Sequence, residues 1–139
     1  MDPYWQESVI QSARFAMITI GNDGVITSFN TAAENMLKYK SEEIVGKYTP
    51  MKFHLHHEIL DLADKFGMKT EGVDILDLHK EFTKASLSKG PVTGEFVWVR
   101  KDGLRISVRL SCSKLTNAAG ETIGYLGIAE ELSDVKQVK

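Results

Sequence analysis

The chain is short of several things, and each shortage excludes a class of function. Its 139 residues include one cysteine, Cys112, so no internal disulfide forms and no oxidising compartment is required. No apolar run approaches the roughly 20 residues of a membrane span, and the acidic start at Asp2 is not that of a signal peptide. Basic residues (17) are slightly outnumbered by acidic ones (19) and neither sign forms a block, which argues against general binding of nucleic acid or anionic membranes. These absences read as a cytoplasmic chain without direct membrane contact. No glycine loop of the Walker or dinucleotide type is present. No Cys-x-x-Cys-His run offers covalent haem attachment. The serines, histidines and carboxylates show no nucleophile–base spacing, so no enzyme is expected. With no internal repeat or low-complexity linker, the length implies one domain with a radius of gyration of about 14 Å.

What is there is organised around Glu95 to Leu132. Three β-rich runs are separated by two turn signals, Lys101-Asp102-Gly103 and Asn117 to Gly120. The pattern predicts a three-stranded antiparallel meander. In its middle run Leu104, Ile106, Val108, Leu110 and Cys112 alternate with Arg105, Ser107, Arg109, Ser111 and Ser113. One face therefore packs on a core, and the other meets water or a partner.

The preceding residues supply the cover. Trp5, Val9 and Ala13 recur at helical spacing and predict an amphipathic helix over 1–14. Two readings stand for it: a cap on the domain edge, or Trp5 and Val9 packing on a second copy in a homodimer. Phe15 to Ile20 reads as a strand apolar on both faces, Asn22-Asp23-Gly24 as a tight turn, and Val25 to Phe29 as the returning strand. Asn30 or Thr31 starts a helix, with Thr31 and Glu34 matching a capping box. A short helix follows over Ser41 to Gly46. Leu55, Ile59, Leu62, Ala63 and Phe66 form one helical stripe, and Asp74 caps another helix running to about Leu87. Two strands, about four helical segments and three strands predict an α+β domain, a five-stranded antiparallel sheet with helices over one face.

Four segments then match a known family in order and spacing. They are 18–30 followed by Thr31-Ala32-Ala33-Glu34; Ser41-Glu42-Glu43-Ile44-Val45-Gly46-Lys47; Trp98-Val99-Arg100-Lys101-Asp102-Gly103; and Gly124-Tyr125-Leu126-Gly127-Ile128-Ala129 followed by Glu131-Leu132-Ser133-Asp134. The chain resembles a PAS domain over nearly its whole length. The resemblance implies the PAS fold over 15–132 and a pocket between helices and sheet. It also implies a sensory role, relayed through 133–139 to an effector such as a histidine kinase or a cyclic-dinucleotide enzyme. The pocket is expected among Ile59, Leu62, Phe66, Ile75, Leu78, His79, Phe82, Ile106, Val108 and Leu110. A ligand-free dimerisation module is the alternative in which side chains fill that space.

His79 carries the sharpest chemical reading. On a helical wheel it lies beside the dry side made by Ile75, Leu78, Phe82 and Ala85, so its imidazole needs a hydrogen-bond partner or a metal. The run His79-Lys80-Glu81-Phe82 also resembles the proximal-histidine segment of haem PAS domains, which would make His79 an axial iron ligand. No distal arginine or methionine accompanies it, and a packed core histidine is the plainer expectation. His54, His56 and His57 read as the polar start of a helix, because neighbouring positions do not share a helix face as metal ligands would. Cys112 reads as inert core. The Asn-Cys-Arg-Phe-Leu-Gln run of flavin-binding light sensors is absent, which leaves non-covalent flavin without sequence support.

Overall fold

The structure, a computed structural model, describes residues 15–132. The expected α+β architecture is present. Strands β1 (Ala16–Gly21) and β2 (Ile26–Phe29) form a hairpin around Asn22-Asp23-Gly24, where Gly24 takes a positive φ of 86°. Helices α1 (Thr31–Leu37), α2 (Ser41–Ile44), α3 (His56–Lys65) and α4 (Ile75–Ser86) follow, with a 3-10 turn at Pro50–Lys52 between α2 and α3. Strands β3 (Val92–Val99), β4 (Arg105–Thr116) and β5 (Thr122–Glu131) complete one antiparallel sheet in the order β2-β1-β5-β4-β3.

Local chemistry explains the helix starts. Asn30 is the cap of α1: its side-chain oxygen accepts from the Ala33 N–H at 3.0 Å. The expected Thr31–Glu34 capping box is not the one used. The Glu34 carboxylate accepts instead from the Ser41 N–H at 2.7 Å, tying α1 to the start of α2. Asp74 caps α4, accepting from Leu76 and Asp77.

The period-two pattern of β4 holds from Ile106 onward, with Ile106 and Val108 buried and Arg105, Ser107 and Arg109 exposed. Leu104 departs from it and is 53% exposed, because it belongs to the turn: its carbonyl accepts from the Arg100 N–H. The expectation that β1 is buried on both faces is also modified. Ala16 and Ile18 are buried, while Met17 and Thr19 on the other face are half-buried.

The inner face of the sheet has two halves. Under α1 and α2 it is dry, packed with Ile26, Phe29, Leu37, Ile44, Phe53 and Trp98. Under α3 and α4 the packing opens. Phe53 and His54 lie along the free edge of β3, where the Val99 N–H donates to the Phe53 carbonyl at 2.8 Å and His54 bridges to Trp98. The Glu58 carboxylate accepts from the Val97 N–H at 2.9 Å, so this edge is covered.

Gly124 shows how closely β5 and β1 approach. A Cβ there would stand 2.3 Å from the Ile20 carbonyl oxygen, a backbone atom that cannot step aside. Gly124→Ala is expected to cost about 2 kcal/mol as overpacking. A urea midpoint that drops at unchanged slope is the sign of it, and an unmoved midpoint would show that the strands part without penalty.

Candidate functional site

The opening between α3, α4 and the sheet is a cavity with two arms. The larger, about 230 Å³, lies between Ile59 and Leu62 of α3, Phe82 and Ser86 of α4, and Val92 and Phe96 of β3. The smaller, about 60 Å³, reaches toward Ile18 and Ile20 of β1 and Tyr125 and Gly127 of β5. His54, His79, Thr83, Leu110 and Cys112 border both.

The expected pocket residues divide between this cavity and the rest of the fold. Ile59, Leu62, His79, Phe82 and Leu110 line it. Ile106 and Val108 belong to the dry core, because they stand further back along β4, opposite Trp98 and Phe96. Leu78 is buried in the core outside the lining, and Ile75 is half-buried at the first turn of α4. Phe66 is 53% exposed at the end of α3, its ring against the edge of Phe82 at 5.8 Å. Trp5 and Val9 lie outside the described residues.

His54 is the residue that sequence reasoning misplaced. It is not the polar start of a helix: α3 begins at His56, and only His56 and His57 are exposed. His54 is 5% exposed, its ring 5.3 Å from that of His79 and 5.1 Å from that of Phe96. The Trp98 indole N–H donates to His54 Nε2 at 3.4 Å. His54 Nδ1 is buried and has no partner among the described residues. The local sequence held one faint signal, the apolar neighbours Phe53 and Leu55 beside His54.

Burial sets the charge state of this pair. It pushes His79 down to about 4, and it pushes His54 well below the ordinary imidazole value, with the neighbouring His79 adding to the effect. Burial also raises the Cys112 thiol to about 11, so the sulfur is a thiol and not a nucleophilic thiolate. Among the described residues no Asp, Glu, Lys or Arg borders either arm. Among the described residues the cavity is therefore electrically neutral at pH 7, its polar side chains being His54, His79, Thr83, Ser86, Thr93, Trp98, Cys112 and Tyr125.

Among the described residues no group of three or more His, Cys, Asp or Glu could hold a metal ion, and no helix is long and apolar enough to cross a membrane. Haem and flavin are both larger than the space. Sites for large ligands usually offer about 300 Å³ or more, and the larger arm offers about 230 Å³. The His54 ring also packs 5.3 Å from that of His79, taking up space beside the candidate axial ligand. Neither group fits these side chains as they stand.

The family model for the PAS fold matches residues 7–132. The chain belongs to the PAS family. Among solved structures, a PAS domain of a Colwellia psychrerythraea protein matches with a TM-score of 0.74 and 18% identity, covering 94% of this chain and 97% of that one. A light-oxygen-voltage protein of Rhodobacter sphaeroides matches at 0.70 and 13% identity, covering 99% of this chain and 72% of that one. The PAS domain of a LuxR-family transcriptional regulator from Burkholderia thailandensis, solved in complex with ethanol, matches at 0.60 and 13% identity, covering 95% and 98%. At these identities the structural likeness carries the fold alone. No curated protein is significantly similar in sequence.

Proposed function

We propose that this PAS domain is a non-catalytic sensory module that binds a small molecule in the two-armed cavity and relays its occupancy through β5 to an attached effector. One observation carries the reading: the cavity wall is built on the strand that pairs with the exit strand. Leu110 and Cys112 of β4 border the cavity and stand opposite Ala129 and Gly127 of β5. A side chain displaced by a ligand therefore pushes on backbone only a few residues before Leu132. The PAS domain solved with ethanol supports a small occupant for such a cavity. A ligand with different affinity for two packings of this wall would shift their populations. Homodimerisation, with Trp5 and Val9 at the contact, belongs to the same proposal, as does a cytoplasmic site of action.

The test is a thermal-shift screen of small uncharged metabolites against the wild type and Cys112→Phe, whose ring fills the space between the two arms. A ligand that binds only the folded state raises the melting temperature, the more so the further its concentration exceeds the dissociation constant. Shifts seen in the wild type and lost in the folded variant, with changed amide exchange at 127–132, support the reading. Hits that shift both proteins equally would place binding elsewhere. A screen with no hits would leave a domain that works through its contacts alone.

A further inference from the structure

The proton positions of the His54 ring point to the chemistry of the occupant, on the reading that the cavity is the ligand site. An indole N–H can only donate. Because Trp98 donates to Nε2, that nitrogen carries a lone pair, and a neutral imidazole must then carry its proton on Nδ1. Nδ1–H is a donor, buried and without a partner among the described residues, on a ring that borders both arms. An orphaned buried donor is costly, and a group that accepts from it recovers that cost.

Size and charge narrow the occupant further. An apolar cavity of about 150 Å³ accommodates benzene, so the larger arm, at about 230 Å³, holds a single ring with a short substituent. The absence of any charged residue on its walls among the described residues penalises an ion, which would leave water without a counter-charge. We infer that the cavity is selective for an uncharged molecule of about one ring in size that presents a hydrogen-bond acceptor, a carbonyl or ether-type oxygen, to His54 Nδ1–H.

Three probes of nearly equal shape separate the contributions: acetophenone, its hydrocarbon isostere α-methylstyrene, and benzoate. Titration calorimetry at pH 7 on the intact chain is the measurement. Acetophenone is expected to bind about tenfold more tightly than α-methylstyrene, the usual size of one recovered hydrogen bond, and benzoate is expected not to bind. His54→Phe keeps a ring and removes the donor, so the two neutral probes should become equal. The comparison in the wild type stands even if that variant does not fold. Equal binding of ketone and hydrocarbon by the wild type would overturn the acceptor inference, as when a buried water already serves Nδ1, while leaving the cavity a ligand site. Tighter binding of benzoate would overturn the requirement for neutrality. No binding by any probe would overturn the inference and count against the ligand reading itself.

Discussion

Asn30→Ala should lower the free energy of unfolding by about 4 kcal/mol, because it leaves several backbone groups without partners at once. The Asn30 side chain is wholly buried where the sheet meets the first helix. Its oxygen accepts from the Ala33 N–H at 3.0 Å and from the Met17 N–H at 2.9 Å, and its amide donates to the Phe15 carbonyl at 3.1 Å. One residue thus caps α1 and pins the first residues of β1. Each orphaned buried group costs about 1–3 kcal/mol, which sets the total. Asn30→Asp keeps the acceptor oxygens but turns one toward the Phe15 carbonyl without a proton to offer, so its loss should be smaller at a pH where the acid can protonate. Urea unfolding of the three proteins decides it. An alanine variant within 1 kcal/mol of the wild type would mean that solvent replaces the amide, contrary to its burial.

Acidification from pH 6.5 to pH 4 should remove about 3 kcal/mol or more through the buried histidine pair. In the unfolded chain an imidazole protonates at its ordinary value of 6.5, whereas folded His79 does so only near 4. Between those values the unfolded state binds more protons, so stability falls as pH falls. The contribution is fully present above pH 6.5 and gone by about pH 4. His54 is displaced in the same direction by burial and by His79, and adds to the slope. The carboxylates of Glu43 and Asp102 are held below their ordinary values by hydrogen bonds from Lys101 and Arg100, so their own losses come at more acid pH. Denaturant midpoints measured across this window test the slope, with His79→Leu expected to flatten it. A wild-type midpoint constant from pH 7 to pH 5 would refute the burial of the pair.

The parts of this molecule that were legible in the sequence are those governed by local period or local capping. Ile106, Val108, Leu110 and Cys112 alternate with polar residues and share the inner face of β4. Asp74 marks the start of α4, and the wheel position of His79 matches its burial. What was not legible depends on distant partners. His54 stands two residues before His56 on the page, yet its environment is made by Trp98, Phe96 and His79. Asn30 was recognisable as a helix cap, but its bonds to Phe15 and Met17 exist only once β1 lies beside it. The division of the inner face is of the same kind. Period two assigns Val108 and Leu110 to one side of β4, and only the packing of the distant elements over them puts Val108 in the core and Leu110 on the cavity.

The place of β5 has a consequence for how the domain comes into being. It is the last of the described strands along the chain and the middle one in the sheet, between β1 and β4. The β1–β2 hairpin and the β3–β4 hairpin are local and can zip as soon as each is made. Their union waits on pairing between opposite ends of the sequence, the slow kind of contact that loop closure penalises. On a ribosome, the floor joining β1 to β4 cannot exist until Thr122–Glu131 has cleared the exit tunnel, so the domain is assembled late and all at once. A nascent chain stalled short of that strand presents two open sheet edges, which is when it most needs a chaperone.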